Sequence, residues 1–243
     1  VSDTVVIIPT YNEIENIRAI VTAVMQLPEG FHVLVIDDGS PDGTAQAVQN
    51  LIQTTYPDRL FLEQRTGKLG LGTAYVHGFR WALARHYHFI VEMDADFSHP
   101  PDRLSPLREA ASQTGVGMSI GSRYIRGGKL VNWPLNRLIM SYGASLYTRL
   151  VTFMPVHDST AGFVCYRREA LQQLNFDKIK FVGYAFQIEM KFAIWQLGFR
   201  LVEIPITFTD RQLGVSKMSL HIFREAVLGV FKMRVRSFFS DYR

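Results

Sequence analysis

HVLVIDDGSPDGTAQAVQNLIQT, from His32 to Thr54, is the stretch that decides the fold. Val33 to Ile36 is an unbroken apolar run, the pattern of a strand covered on both faces. It stops at two carboxylates, passes through a Ser-Pro-Asp-Gly turn, and gives way at Thr44 to an amphipathic helical stretch. The alternation extends in both directions. TVVIIP from Thr4 precedes a helix over Ile14 to Leu27. RLFLEQ, a helix from Gly72 to Arg85, HFIVEMD, a helix near Arg103 to Ser112, and VGMSIGS follow. Strands alternating with helices predict βαβ units, hence one α/β domain with a mostly parallel central sheet flanked by helices. No fixed-period repeat, low-complexity segment or linker divides it.

Beyond Ser122 the pattern weakens. RGGKL from Arg126 reads as a loop, and Pro134 opens a helix on which Leu135, Leu138, Ile139, Tyr142, Leu146 and Leu150 form one apolar stripe. A last helix over Leu220 to Phe239 carries Leu220, Phe223, Val227, Phe231 and Phe238 on one side. Arg224, Lys232 and Arg236 occupy the other.

With 243 residues, 47% hydrophobic and 20% charged, the chain is neither disordered nor a coiled coil. A net charge of +4 argues against a nucleic-acid partner. Its distribution says more: residues 1–197 balance 18 basic against 18 acidic side chains, whereas residues 198–243 hold 8 against 4. Between Glu109 and Asp158 there is no acidic residue, yet Arg123, Arg126, Lys129, Arg137 and Arg149 fall there. Both stretches invite an anionic partner. A single cysteine, Cys165, makes no internal disulfide and points to a reducing compartment. Val5 to Pro9 is too short for a signal core, and no window reaches about 18 uncharged apolar residues, so no membrane-spanning helix is expected.

In an open parallel sheet, ligands bind beyond the carboxyl ends of the strands. Here those ends read PTYNE (Pro9 to Glu13), DDGSPDGT (Asp37 to Thr44) and DADFSH (Asp94 to His99). They bring Glu13, Asp37, Asp38, Asp42, Asp94 and Asp96 to one edge, a costly cluster unless a cation or hydrogen-bond donors compensate it. If the extended chain continues to Asp96, both carboxylates of the DxD face one side and suit Mg²⁺ or Mn²⁺ bridging a diphosphate. Otherwise Asp94 ends the strand and Asp96 begins a turn with Ser98, His99 and Pro100. An Asp42-Gly43 turn with Thr44 as helix N-cap explains half of DDGSPDGT. The remaining pair, Asp37 and Asp38, suits a base or ribose hydroxyl, with Pro9 and Tyr11 as a flat wall. LGLGTA (Leu69 to Ala74) lacks the context of a dinucleotide site and there is no GxxxxGK[ST], which excludes NAD and P-loop readings. Its glycines are expected to let the helix start lie close to the sheet, leaving Lys68 free for phosphate. GxSxG and HExxH are absent, and His77, His86 and His88 read as surface or packing residues. Arg123 in GSRY, and Arg211 and Lys217 around QLGVS, are cations that a transferred or released phosphate needs.

PTYNE, DDGSPDGT, KLGLGTAY, MDADFSH, GSRY and DRQLGVSK, in this order between Pro9 and Lys217, resemble the dolichyl-phosphate (polyprenol-phosphate) mannosyltransferases. These are family 2 glycosyltransferases of GT-A fold. DDGS and DxD alone indicate only the superfamily; LGLGTAY, GSRY and the final Arg-x5-Lys are more specific. The resemblance implies a Rossmann-like GT-A domain over residues 1–218, followed by a C-terminal amphipathic helix over 219–243. It implies transfer of mannose from GDP-mannose to a polyprenyl phosphate with inversion, aided by a divalent cation, Mg²⁺ or Mn²⁺. It places nucleotide contacts at Pro9, Tyr11, Glu13, Ile36 and Asp38, and the metal and diphosphate region at Asp94, Ala95 and Asp96. Sugar or phosphate contacts fall at Arg123, Arg211 and Lys217, which with Asp96 form the implied catalytic set. Many relatives append transmembrane helices, whereas this chain resembles the compact form, which in eukaryotes small partner subunits hold at the membrane. The resemblance implies a peripheral place at the cytoplasmic side and leaves open whether such subunits exist here.

A phosphate monoester is already anionic and needs no general base. Gln187 and Glu189, where relatives with hydroxyl acceptors keep an acidic base, are then expected to position the sugar or a basic loop. Arg123 and Arg137 are assigned to the lipid phosphate, with Trp133 and the stripe from Leu135 to Met154 guiding the isoprenoid or dipping into the interface. The alternative is a core helix with solvated arginines. The helix from Leu220 either lies on anionic lipid through its basic face or closes the core. Two competing functions are a UDP-glucose-dependent transferase acting on the same acceptor and a non-catalytic nucleotide-binding scaffold. No QxxRW string supports a processive synthase.

Overall fold

The computed structural model describes residues 2–183, 185–210, 220–239 and 241–243, with the backbone alone over 220–227. Its first half follows the expected alternation: β1 (Thr4–Thr10), α1 (Ile17–Met25), β2 (His32–Asp37), α2 (Thr44–Thr54), β3 (Leu60–Gln64), α3 (Leu71–Ala84), β4 (Phe89–Glu92), α4 (Leu104–Ser112) and β5 (Val116–Ser122). Then come β6 (Lys129–Val131), α5 (Leu135–Thr152), β7 (Val164–Arg167), α6 (Arg168–Gln173), α7 (Ala185–Gln196), β8 (Arg200–Pro205), β9 (Thr207–Thr209) and α8 (Leu220–Arg236).

The main sheet runs β3-β2-β1-β4-β7-β5-β8, with β7 antiparallel to both neighbours and every other pair parallel. Because β1 leads outward to β2 on one side and adjoins β4 on the other, the crevice for a ligand opens beyond the ends of β1 and β4. Continuous apolar runs form these strands because both faces are covered. Val5, Ile7, Leu34 and Ile36 pack beneath α3 and α7, through Tyr75, Phe79 and Phe186. Val6, Ile8, Val33 and Val35 face α1, α2 and α4. α7 is buried over ten consecutive residues, Ala185 to Ile194, including Gln187, Glu189 and Lys191.

Several expectations are corrected. RGGKL is not wholly a loop, since its last two residues begin β6, which pairs in parallel with β9. A Cβ on Gly72 would come within 2.7 Å of the Phe186 ring, so this glycine admits α7; the glycine of α3 that lies on the sheet is Gly78, against Ile7 and Ile36. The helix expected from Ile14 starts at Ile17, after a turn in which Glu13 O accepts from Asn16 N and Ile17 N.

Of the two late helices, α5 has the outward stripe of the first reading rather than that of a core helix, and α8 is corrected. The α5 stripe faces outward: Leu135, Ile139, Tyr142, Leu146 and Leu150 are between 48% and 70% exposed, while Ser145, Thr148 and Thr152 are buried. On α8, Phe231 and Phe238 are exposed, Val230 and Met233 enter the core, and Arg236 of the expected basic face turns inward to the buried Glu189. Periodicity locates a stripe but not what covers it. α8 packs against α5 and α7. No helix among the described residues is long and apolar enough to cross a membrane.

Candidate active site

The loops after β1 and β2 are fastened together by side chains that accept from backbone amides. Ser40 Oγ takes Asn12 N at 2.9 Å, Thr44 Oγ1 takes Glu13 N at 3.0 Å, and Asp42 Oδ2 takes Ile14 N at 3.1 Å. Thr44 is the first helical residue rather than the cap, which is Gly43, and its hydroxyl donates to Asp42 Oδ1 at 2.6 Å. This lacing shapes PTYNE around the crevice. It also resolves the Asp37-Asp38 pair. Asp37 is buried and accepts from Thr10 Oγ1, Ser40 N and Ser40 Oγ at 2.9, 2.8 and 2.6 Å, so it is a bracket between strand ends. Asp38 is gripped by Arg65, with Nε 2.6 Å from Oδ1 and Nη2 2.8 Å from Oδ2. Lys68 Nζ lies over the Tyr11 ring, 5.1 Å from its centroid. Ile36 gives its side chain to the core, so only its backbone can face a nucleotide.

The strand does not continue through the DxD. β4 ends at Glu92, residues 95–99 bend, and Phe97 adopts a positive φ of 61°. Asp96 Oδ1 accepts from Ser98 N at 3.1 Å, the turn of the second reading. The Asp94 side chain is 40% exposed, and Asp96 is 9% exposed. His99 supports this bend: its Nδ1 accepts from Asp94 N at 3.0 Å, which puts the ring proton on Nε2, 3.9 Å from Asp94 Oδ2. Burial pushes the imidazole below its usual pKa, so it stays neutral between Phe163 and Phe208.

Among the described residues no three His, Cys, Asp or Glu side chains converge on one metal position. Two hard carboxylates at the crevice, with the remaining ligands left to water and diphosphate, is the donor set by which Mg²⁺ or Mn²⁺ is usually held. The residues therefore fit a substrate-bridged cation and do not fit an all-protein cage.

Below the bend lies a buried polar network that sequence reading missed. Glu92 accepts from Tyr166 Oη at 3.0 Å and Gln187 Nε2 at 2.6 Å, while Lys191 Nζ donates to the carbonyls of Ala161 and Gln187 at 2.7 and 3.1 Å. Burial lifts the Glu92 carboxyl to about 8 and lowers the Lys191 ammonium to about 8. Gln187 is buried and spends its amide N–H on Glu92, two residues before Asp94. Glu189 accepts from Lys180 N and Phe181 N at 2.7 and 2.8 Å, so it does hold the Lys180 loop.

Both arginines assigned to the lipid phosphate, Arg123 and Arg137, have carboxylates from elsewhere in the chain. Arg123 donates to Asp158 through Nε and Nη2 at 2.7 and 2.6 Å, Arg123 N reaches the same carboxylate at 2.9 Å, and Asp158 is fully buried. Arg137 Nη1 donates to Asp210 Oδ1 at 2.8 Å. The expectation of uncompensated cations is corrected accordingly. The sequence held one clue, since Asp158 is the acid that closes the stretch. Trp133 joins the two guanidinia, 5.3 Å from Arg123 and 4.3 Å from Arg137, and stacks edge-on to Phe208, which touches His99 in the same way. Trp133 Nε1 and Arg137 Nε are buried donors with no acceptor among the described residues. Arg211 and Lys217 lie outside the described residues.

Residues 5–174 match the family described as glycosyl transferase family 2. A polyprenol monophosphomannose synthase of Mycolicibacterium smegmatis is 47% identical over 233 residues, covering 96% of this chain and 87% of that protein. An undecaprenyl-phosphate mannosyltransferase of Micrococcus luteus is 45% identical over 224 residues, covering 92% and 90%. Among solved structures, a mannosyltransferase from Pyrobaculum calidifontis in complex with GDP-Man and Mn²⁺ is similar with a TM-score of 0.62 at 20% identity, over 99% of this chain and 65% of that one. A glucosyl-3-phosphoglycerate synthase from Mycobacterium tuberculosis with Mn²⁺, UDP and glucosyl-3-phosphoglycerate gives 0.64 at 17% identity, over 96% and 79%. At these identities the two structures speak for the fold alone, and that fold is the GT-A arrangement the sequence led to expect.

Proposed function

Since the chain belongs to glycosyl transferase family 2, we propose that it transfers mannose from GDP-mannose to a polyprenyl phosphate with inversion at the anomeric carbon. In this reading residues 1–218 are the catalytic unit, and the helix within 219–243 adds to the face turned towards lipid. The observation that carries the acceptor assignment is the outward stripe of α5, which starts beside two arginines and two buried N–H donors with no acceptor among the described residues. A buried donor left unpaired costs about 1–3 kcal/mol. A phosphate bound there would accept from Trp133 Nε1 and Arg137 Nε, and the isoprenoid chain would follow Ile139, Tyr142 and Leu146.

Tyr11, Glu13, Asp38 and the backbone at Pro9 and Ile36 line the nucleotide side, beyond β1 and β2. Asp94 and Asp96, flanking Ala95, would hold Mg²⁺ or Mn²⁺ against the diphosphate. Such a cation supplies positive charge where the leaving diphosphate gathers negative charge. The chain's own residues orient the reactants. His99 fixes the bend that presents Asp94, and the Glu92-Gln187-Lys191 network holds that bend from below. The His99 imidazole is buried and already engaged, which suits an acceptor that attacks without a protein base. Arg123 acts as an Arg123-Asp158 pair; Arg211 and Lys217 are assigned to the departing diphosphate.

The same face commits to one occupant, a bilayer. Exposed apolar residues of α5 continue into Leu228, Phe231 and Phe238 of α8, with Arg234 stacked on Phe238 at 4.5 Å. The proposal includes peripheral attachment at the cytoplasmic side of a membrane, with or without anchoring subunits, and the exposed apolar residues of α5 and α8 support the peripheral part of it.

The test is to supply GDP-mannose, GDP-glucose or UDP-glucose, each labelled in the sugar, with Mn²⁺ and a polyprenyl phosphate, and to follow label into organic solvent. Label from GDP-mannose is expected. Transfer from UDP-glucose alone would refute the mannose assignment, and no transfer from any donor would favour a scaffold.

A further inference from the structure

The carboxylate assigned to the donor nucleoside already has a partner. Arg65 meets both oxygens of Asp38, and its remaining terminal nitrogen, Nη1, donates to Thr73 Oγ1 at 2.8 Å. Thr73 in turn donates to Gly70 O at 2.7 Å, and Arg65 N donates to Asp37 O at 2.8 Å. Both side chains of the ion pair are 9% exposed. One residue therefore ties together the end of β2, the turn after β3 and the first turn of α3, the three segments that wall the crevice beyond Asp38.

The chemistry of this pair is specific. A carboxylate has about four lone-pair sites, and a two-point fork uses two of them while fixing the plane of the group. The others stay available to an N–H or hydroxyl of a ligand. The fork also neutralises Asp38, which matters beside Glu13, Asp94 and Asp96, because an uncompensated fourth carboxylate would repel an incoming diphosphate. Lysine cannot reproduce this: it brings the charge as a point and has no planar fork.

We propose that Arg65 is the positioning residue of the nucleoside pocket, holding Asp38 in one plane with its charge compensated, so that Asp38 can take a hydrogen bond from the donor nucleoside. The proposal rests on the assignment of Asp38 to the nucleoside. Arg65 acts through Asp38 and has no part in the chemical step.

The experiment measures GDP binding by titration calorimetry in the presence of Mn²⁺, together with KM and kcat for GDP-mannose, in Asp38→Asn, Arg65→Lys and the double variant. Asp38→Asn and Arg65→Lys should each weaken GDP binding about tenfold, equivalent to one strong charged hydrogen bond. Donor KM should rise in parallel while kcat stays within about threefold, since uniform binding is lost and transition-state stabilisation is not. The double variant should bind no worse than the weaker single variant, because the two residues act as one unit. Normal GDP binding by Arg65→Lys alongside weak binding by Asp38→Asn would overturn the proposal, as would effects that multiply in the double variant. Normal binding by Asp38→Asn would instead remove Asp38 from the nucleoside, and with it the ground for the proposal. Should Arg65→Lys unfold, Thr73→Val removes the Nη1 contact and the Thr73 hydroxyl's bond to Gly70 O while leaving the fork on Asp38 in place. It should weaken GDP binding about threefold, Thr73→Ser, which keeps both bonds, should bind normally, and unchanged binding by Thr73→Val would count against the proposal.

Discussion

Charge compensation governs this site residue by residue. Its carboxylates and guanidinia were legible as residue types at strand ends, but their pairings were not. Arg65 reaches Asp38 and Arg123 reaches Asp158 only once the sheet brings distant loops together. Asp158 illustrates the energetics. Burial alone would raise its pKa, but the Arg123 charge and hydrogen bonds outweigh burial and hold it below the ordinary 3.8. A carboxylate whose folded value is depressed stabilises the fold above its unfolded value and loses that contribution as pH falls through the folded one. Acid unfolding followed by circular dichroism should therefore contain a proton-linked component below pH 3.8. Asp158→Asn should remove that component and destabilise the protein by about 3–5 kcal/mol at neutral pH, because Arg123 is left buried and unpaired. At the crevice, Asp96→Asn keeps the amide oxygen that Ser98 N needs, so the bend should survive. Cation-dependent turnover should nevertheless fall about a hundredfold or more, as expected when charge stabilisation at the leaving group is removed. Full turnover in that variant would move the metal site elsewhere.

Among the elements, the parallel half of the sheet could be read because continuous apolar runs flanked by turns leave little choice. β7, β8 and β9 escaped because they lie past Ser122, where the strand-helix alternation lapses, and their partners lie far away in the chain, as with Glu92 beside Val164 and Lys129 beside Thr207. α5 was found as a helix, yet its exposed face could not be chosen from sequence. The buried Ser145, Thr148 and Thr152 show that its inner face is the polar one. That inversion has a measurable consequence. Ile139→Asp or Leu150→Asp should alter stability by no more than about 0.5 kcal/mol, as for ordinary surface positions, whereas core positions would lose about 2–5. The same substitutions should reduce sedimentation with vesicles containing anionic phospholipid. Unchanged sedimentation would contradict docking through α5.

For the whole molecule, the net charge of +4 did not name a partner, and its uneven distribution proved only half of the answer. Of the acids of the first half, Asp37, Asp38, Asp94 and Asp96 follow the ends of β2 and β4 while others, such as Asp3 and Glu63, pair elsewhere, and the acid-free stretch recruits Asp158 and Asp210 from outside itself. What that stretch offers lipid is an apolar face with donors at one end, together with the exposed Arg126, Lys129 and Arg149. Cys165 is buried in the sheet with its thiol pKa pushed up by burial, so it should resist alkylation in the native protein and react only on unfolding. The chemistry proposed is direct attack of a lipid phosphate on the mannose of GDP-mannose, aligned by Asp94, Asp96 and the Trp133-Arg137 end of α5. The measurement that tests it most directly is the anomeric configuration of the product lipid, determined by NMR after turnover with GDP-mannose and polyprenyl phosphate. A β-linked mannosyl phosphate is predicted from the α-linked donor; an α-linked product, or mannose released to water without a mannosyl lipid, would contradict the account.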